Sequence, residues 1–194
     1  MQTLDDIHRL TTCRRILVLG SSGSGKTTFA LRLSGILQLP TIHLDAHFWK
    51  PGWVSTPQEQ WRETVQQLVQ RESWIIDGMY ESTLDLRVPA ADALIVLEHP
   101  RLTCLWRALK RRITVDDERR PDAPPGQLLD IPFLRYIWRY PYTTRPLLFQ
   151  CIAKHAQDKL QIVLRGQHDV HQFFEGLNAA PCCRGKQDAD CLKT

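Results

Sequence analysis

Residues 15–30 read Arg-Ile-Leu-Val-Leu-Gly-Ser-Ser-Gly-Ser-Gly-Lys-Thr-Thr-Phe-Ala, a short apolar run that meets a glycine-rich turn. The turn has the spacing Gly20-x-x-x-x-Gly25-Lys26-Thr27, which is the pattern of a phosphate-binding loop between a strand and a helix. Glycines at these positions let the backbone adopt positive φ and bring its N–H groups close to phosphate oxygens. The stretch therefore predicts a nucleotide-phosphate site in an α/β fold.

The residues of this loop have distinct expected roles. Lys26 would bridge the β- and γ-phosphates of ATP, and the Thr27 hydroxyl would coordinate Mg²⁺. The helix that begins near Lys26 adds the positive end of its dipole to the same anion. The nucleotide-binding residues predicted from the loop are Gly20, Ser21, Ser22, Gly23, Ser24, Gly25, Lys26, Thr27 and Thr28.

The composition is that of an ordinary globular chain, with 194 residues, 43% hydrophobic and 24% charged residues, and a net charge of +4. This length favours one sizeable core rather than two. No stretch approaches the roughly 20 apolar residues of a membrane span, and the first residues lack the pattern of a signal peptide. We therefore expect a cytoplasmic protein without a membrane segment, either a monomer or a homodimer. Its six scattered cysteines are expected to be reduced thiols.

Strand and helix signals alternate along the chain, which predicts an α/β fold with a mainly parallel sheet. Thr56 and Glu59 have the spacing of a capping box, so a helix is expected to begin there. Residues 113–130 are rich in proline and acidic groups and predict a mobile loop, whereas residues 179–194 predict a disordered tail. The expected strands are 16–19, 41–44, 73–76, 93–97 and 160–164, and the clearest later helices are 101–112 and 170–177.

An acidic residue, Asp77, ends the apolar strand that precedes Gly78. Ligands of open α/β sheets bind beyond the carboxyl ends of the strands. In proteins with a phosphate-binding loop, an acid at such a position holds Mg²⁺ directly or through water. The sequence therefore predicts that Thr27 and Asp77 form the metal site, although an aspartate before glycine is also a common turn signal.

Four motifs together resemble the adenylate-kinase-related proteins. They are Gly20 to Thr28, Asp45 with Trp49-x-Pro51-Gly52-Trp53, Asp77-Gly78-x-Tyr80, and Leu105-Trp106-Arg107-x-x-x-Arg111-Arg112. Within that group they are most similar to kinases labelled DNA-topology-modulation (FlaR-like) proteins, over about residues 14–177. The resemblance implies a P-loop NTPase fold, a three-layer α/β/α sandwich with a five-stranded parallel sheet. It also implies a kinase domain over residues 1–178, with a helical or loop lid at about 113–145.

The same resemblance suggests where the acceptor binds. Asp45 falls where several small-molecule kinases place an acid that orients the acceptor hydroxyl and accepts its proton. Its alternative role is that of a turn residue at a strand end. Trp49, Trp53 and Tyr80 would form an aromatic wall for a planar acceptor, or else core packing under a loop.

The Asp77-Gly78 motif departs from the nucleoside monophosphate kinases at the next residues. Those kinases usually continue with Phe-Pro-Arg, whereas this chain has Met79-Tyr80-Glu81, which puts a monophosphate acceptor in question. Arg87 would then take over the contact with an acceptor anion. Its alternative is a solvated arginine or one paired with Asp85.

Residues 101–145 hold ten basic and five acidic residues. Arg107 and Arg111 are four residues apart and share a helix face, and with Arg112 they would offset charge on the transferred phosphoryl group. Arg119 and Arg120 would reach the phosphates from the lid. The alternatives are a solvated basic helix, or a DNA-binding block in a nucleotide-binding regulatory ATPase that acts on DNA or a protein partner.

The favoured prediction is an ATP- and Mg²⁺-dependent phosphotransferase. It would transfer the γ-phosphoryl group to a hydroxyl or phosphate of a small-molecule acceptor, with a nucleoside or nucleotide favoured by the resemblance. Nucleic acid is the less favoured partner. The predicted catalytic residues are Lys26, Asp45, Arg107 and Arg111.

Overall fold

The computed structural model describes residues 4–114 and 130–180 of the chain. Its elements follow in chain order. They are α1 (Leu4–Thr12), β1 (Arg15–Gly20), α2 (Lys26–Leu37), β2 (Thr41–His43), α3 (Leu44–Phe48), β3 (Trp49–Lys50), β4 (Val54–Ser55), α4 (Gln58–Val69), β5 (Trp74–Asp77), a 3₁₀ turn (Glu81–Thr83), α5 (Leu84–Ala90), β6 (Ala93–Glu98), α6 (Arg101–Thr114), α7 (Ile131–Arg139), α8 (Thr144–His155), β7 (Leu160–Arg165) and α9 (Gly166–Ala179).

The main sheet has five parallel strands in the order β2-β5-β1-β6-β7. Strand β1 lies at its centre, where Ile16 is in register with Ile75 of β5 on one side and with Ala93 of β6 on the other. Because all five strands run in one direction, their carboxyl ends meet at one edge. The phosphate-binding loop, Asp77 and the start of α3 therefore follow strands that end at this edge.

The two faces of the sheet are covered by separate helical layers. In β1, Leu17 and Leu19 contribute to one core, whereas Ile16 and Val18 contribute to the other, as the two-residue period of a strand requires. The first core includes residues of α4, α5 and α8, and the second includes residues of α1, α2 and α9. This arrangement confirms the three-layer α/β/α sandwich with a five-stranded parallel sheet.

The segment between β2 and α4 has regular structure of its own. It contains the short helix α3 and a two-stranded antiparallel hairpin of β3 and β4. The Thr56 hydroxyl donates to the Phe48 carbonyl at 2.7 Å, and α4 begins after Pro57 without a side-chain cap. The predicted capping role of Thr56 is therefore wrong, because its hydroxyl holds the hairpin against α3 instead.

Part of the predicted lid and most of the predicted tail lie outside the described residues. These parts are 115–129, with Arg119 and Arg120, and 181–194. The described part of the 113–145 region includes α7, which packs on α6 through Ile137 against Cys104 and Ala108. Within the described ranges, no helix combines the length and the apolar character that a membrane crossing demands.

Candidate active site

The phosphate-binding loop has the backbone that its glycines predict. Gly20, Gly23 and Gly25 have φ values of 143°, 78° and 89°. The Lys26 side chain folds back over the loop, and its Nζ donates to the Ser21 carbonyl at 2.9 Å. Burial lowers the pKa of Lys26, and the charges of Asp45 and Asp77 oppose that shift. The lysine and the two carboxylates thus share one electrostatic environment.

The loop residues fit a nucleotide phosphate chain and its metal. Helix α2 starts at Lys26 after Gly25, so no side chain caps its first N–H groups and they remain directed at the cleft. The Ser24 hydroxyl is buried and has no hydrogen-bond partner within the described residues. Thr27 and Asp77 both line the cleft, and Mg²⁺ on a phosphate chain needs only one or two protein ligands.

Helix α6 lies directly against this loop. A Cβ atom added to Gly23 would be 2.2 Å from the Cys104 carbonyl oxygen, so only glycine permits the contact. The contact places Arg107 and Arg111 on the cleft wall. Arg107 donates to the Gln167 side chain at the start of α9 at 3.1 Å.

Several effects act on the pKa of Lys26, and burial, which lowers it, is the largest. The charge of Arg111 also lowers this pKa and is the smallest of these effects. Two of the predicted phosphate-directed arginines thus lie beside the loop. The predicted roles of Arg112, Arg119 and Arg120 concern side chains outside the described part of the chain.

Two carboxylates occupy the strand-end side of the cleft. Asp77 is buried, and its Oδ1 lies 2.8 Å from His43 Nδ1. Asp45, in the first turn of α3, accepts a hydrogen bond from the Tyr80 hydroxyl at 2.6 Å. Among the residues described, no three His, Cys, Asp or Glu side chains form a metal-binding cluster.

The predicted aromatic wall is present and is also part of the packing. Phe48 lies between Trp49 and Tyr80, with ring centroids 4.9 and 4.7 Å away. Trp49 and Tyr80 line the cleft. Trp53 packs beside Trp49 at a tilted angle, with the two ring centroids 5.2 Å apart. Tyr80 and Trp49 are therefore part of both the cleft wall and the core packing, since one part of each ring packs on neighbours while another faces the cleft.

Arg87 is not on the cleft wall, so its predicted contact with an acceptor anion is wrong. Its side chain is fully buried, and its guanidinium donates to the carbonyls of Gly78, Met79 and Tyr80 and to the Thr83 hydroxyl. Burial lowers its pKa to about 10. It is also not paired with Asp85, because that carboxylate binds Arg62. Arg87 instead holds the turn that carries Tyr80.

Several cleft residues were not predicted as site residues. Glu81, Phe133 and Tyr136 line the cleft, and His43 contacts Asp77. Glu81 stands in the turn after Asp77, which is a position that the Asp-Gly motif could have indicated. Phe133 and Tyr136 are three residues apart, so they share a face of α7. Because these two residues are far in sequence from the phosphate-binding loop, no local pattern indicated that this face of α7 lines the cleft.

The described cleft has a volume of about 620 Å³. It brings most of the predicted site residues together, while Gly20, Ser21 and Ser24 belong to the loop but not to the cleft wall. The predicted residues on the wall are Ser22, Gly23, Gly25, Lys26, Thr27, Thr28, Asp45, Trp49, Asp77, Tyr80, Arg107 and Arg111.

Solved structures share this architecture over nearly the whole chain. A shikimate kinase from Acinetobacter baumannii in complex with shikimate superposes with a TM-score of 0.56 at 16% identity, covering 89% of this chain and 95% of that one. The fold is that of a P-loop kinase. A gluconokinase from Sinorhizobium meliloti 1021 gives a TM-score of 0.52 at 17% identity, covering 93% and 98% of the two chains.

A shikimate kinase from Bacteroides thetaiotaomicron is similar at a TM-score of 0.53 and 15% identity, with 86% and 97% of the two chains covered. At these identities the likeness concerns the P-loop kinase fold alone. No protein-family model and no curated protein sequence matches this chain. The expected kinase fold is therefore confirmed, and the narrower resemblance to DNA-topology-modulation kinases stays a prediction.

Proposed function

We propose that this protein is an ATP- and Mg²⁺-dependent small-molecule kinase related to adenylate kinases. One observation carries the proposal: a single cleft joins a phosphate-binding loop, two carboxylates at strand ends and two arginines of α6. Phosphoryl transfer needs positioning and charge stabilisation more than covalent chemistry, and these groups supply both.

The loop side of the cleft would hold the nucleotide. The N–H groups at the start of α2 and the Lys26 ammonium would bind the phosphates. Thr27 and Asp77 would hold Mg²⁺, which when bound would neutralise charge on the phosphate chain. Arg107 and Arg111 would stabilise the charge that spreads over the transferred group, since a guanidinium matches phosphate oxygens in geometry and charge.

Asp45 would act on the acceptor. Its Oδ1 is held by the Tyr80 hydroxyl, which fixes the carboxylate while leaving it beside the cleft. A carboxylate within hydrogen-bond reach of an attacking hydroxyl orients it and accepts its proton. Shikimate and gluconate are phosphorylated by proteins with this fold, which supports a hydroxyl of a small molecule as the acceptor group.

The test is ADP release from ATP and Mg²⁺ across a panel of nucleosides, nucleotides and hydroxylated metabolites, with products identified by mass. We expect release that depends on an acceptor. Lys26→Ala should lower kcat/KM by at least about a hundredfold, because it removes a donor to the transferred phosphate. Lys154→Ala is the matched control, since Lys154 is exposed on α8, away from the cleft.

ADP release at one slow rate with every compound would contradict the proposal. It would favour a nucleotide-binding regulatory ATPase instead, and binding to DNA and its salt dependence would then be measured.

A further inference from the structure

The acceptor half of the cleft differs in charge from the phosphate half. Besides Asp45, its described wall includes Glu81, Met79 and aromatic side chains, and it includes no lysine or arginine. The aromatic members are Trp49, Tyr80, Phe133 and Tyr136.

The cations that line the described cleft lie close to the phosphate-binding loop. Lys26 binds the Ser21 carbonyl, and Arg107 lies beside Gly25, where an added Cβ would be 3.9 Å from its Nη1. Arg111 is near enough to Lys26 to affect its pKa. Phosphates of the nucleotide would engage these groups, so they do not form a separate receptor for an anionic acceptor.

Asp45 and Glu81 line the same cleft as Tyr80 and Tyr136, and the Tyr80 hydroxyl donates a hydrogen bond to Asp45. Burial raises the pKa of Tyr136, and the charges of Glu81 and Asp45 raise it further. Burial also raises the pKa of Tyr80, reinforced by Asp45. Glu81 is held by a hydrogen bond from the Thr144 hydroxyl at the start of α8, so its carboxylate is fixed on this wall.

Arg87 does not offset the negative charge of Asp45 and Glu81 in the cleft, although it is close in sequence to the turn after β5. All of its guanidinium contacts are with oxygen atoms of residues 78–83, and no part of it is exposed to the cleft. In the position where monophosphate kinases usually carry an arginine, this chain has Glu81. An acceptor anion at this turn would therefore meet the Glu81 carboxylate, which lines the cleft.

We propose that the acceptor is a hydroxyl-bearing ring compound without an anionic group, and that Glu81 is the residue that disfavours anionic acceptors. Aromatic faces bind planar rings, and they bind cations as well, so an uncharged or amine-bearing ring suits this wall. A carboxylate or phosphate placed there would meet two like charges in a partly desolvated site. This inference rests on the proposed function, since it names the substrate class of the same cleft.

The experiment compares acceptors that differ in one anionic group. The pairs are nucleosides with their 5′-monophosphates, and shikimate with its methyl ester. Equilibrium binding to the ADP–Mg²⁺ complex is followed by tryptophan fluorescence, because Trp49 lines the cleft, and ADP release from ATP is measured in parallel. We expect the uncharged member of the preferred pair to bind at least about tenfold more tightly, a factor that like-charge repulsion supplies readily.

Glu81→Gln should reduce this ratio to near one, because the amide keeps a hydrogen-bond acceptor for Thr144 but loses the charge. Glu63→Gln, on the exposed surface of α4, should leave the ratio unchanged. The ratio is measured within each variant, so a general loss of stability does not imitate the effect.

Equal or tighter binding of the anionic members by the wild type would overturn the inference, and so would an absence of binding by every pair. An unchanged ratio in Glu81→Gln would overturn the role of Glu81. If the uncharged members bind more tightly but no acceptor releases ADP, the charge preference of the cleft stands and the proposed kinase function fails.

Discussion

Arg87 is a charged side chain in an interior from which water is excluded. Such a charge is tolerated only where its donors are satisfied, and here four hydrogen bonds join it to residues 78–83. One of the carbonyls belongs to Tyr80, whose φ of 25° is unusual for a residue with a side chain. The guanidinium therefore holds a strained turn that directs Tyr80 toward Asp45.

Replacing Arg87 by Ala should lower the free energy of unfolding by about 3 kcal/mol or more, because three buried carbonyls lose their donors. Arg62→Ala, which removes an exposed ion pair with Asp85, should cost about 1 kcal/mol or less. Urea unfolding followed by circular dichroism measures both. Equal losses for the two variants would show that Arg87 is not the internal brace described here.

Lys26 illustrates a cost of the phosphate site. Its folded-state pKa lies below the ordinary 10.5, with burial as the main cause. Between the lowered pKa and 10.5, the unfolded chain therefore binds more protons than the folded one. The stability of the nucleotide-free protein should therefore rise with pH between the lowered pKa and 10.5 on account of this residue.

Lys26→Met removes that buried charge, so the variant without nucleotide should be more stable than the wild type at neutral pH. The difference should shrink as the pH rises through 10.5, because above that value the lysine is neutral in both states. Thermal unfolding at a series of pH values tests this. A difference that stays constant across the series would contradict it.

At the residue scale, the sequence was most informative where a motif fixes the chemistry. Lys26, Thr27 and Asp77 lie where the loop pattern and the strand-end rule predict. Arg87 was misassigned because a guanidinium that binds backbone carbonyls leaves no pattern of side-chain types to detect. The choice between Arg62 and Arg87 as the partner of Asp85 depended on tertiary packing.

Among the elements, the contact of α6 with the loop is the one most sensitive to a single atom. A side chain at Gly23 would collide with the Cys104 carbonyl, and backbone cannot yield as the end of a flexible side chain can. Its φ of 78° also disfavours any residue with a Cβ.

Gly23→Ala should weaken ATP binding and lower the melting temperature, because either the loop or α6 must shift. Gly35→Ala introduces the same methyl group in α2, where no atom lies within 4 Å, and should stabilise the protein by about 0.5–1 kcal/mol. Calorimetric titration with ATP and thermal unfolding distinguish the two. Unaltered ATP affinity in Gly23→Ala would mean that the contact is dispensable.

The predictability of the elements followed the strength of their local signals. The five strands of the main sheet and α2 were predicted, because each is an apolar run or an amphipathic pattern bounded by glycine, proline or aspartate. Helix α1 and the hairpin of β3 and β4 were missed. The hairpin strands are two residues long, and Thr56 stabilises them through Phe48, a contact that no local pattern shows.

For the whole molecule, helix α1 has a packing role, and its Leu10 is completely buried. Helix α1 contributes no residue to the described cleft, whereas α2 of the same layer carries Lys26, Thr27 and Thr28 on the cleft wall. The packing of α1 is thus separate from the residues that form the cleft.

Leu10→Ala should cost about 2–5 kcal/mol of unfolding free energy, as expected for a truncated core leucine. His8→Ala on the exposed face of α1 should change it by about 0.5 kcal/mol or less. The KM for ATP should stay the same in both variants at a temperature where they are folded. A raised KM for ATP in Leu10→Ala would show that the packing of α1 affects the nucleotide site.

The two halves of the cleft are also made of different material. In the proposed kinase, the nucleotide would be held largely by backbone geometry and one helix end, whereas the acceptor would face side chains from α3, the hairpin, the turn after β5 and α7. A binding site formed by backbone atoms is changed little by most substitutions. A pocket formed by side chains changes with each substitution of a residue that lines it. Descendants of such a protein can exchange one acceptor for another while keeping the same phosphate donor.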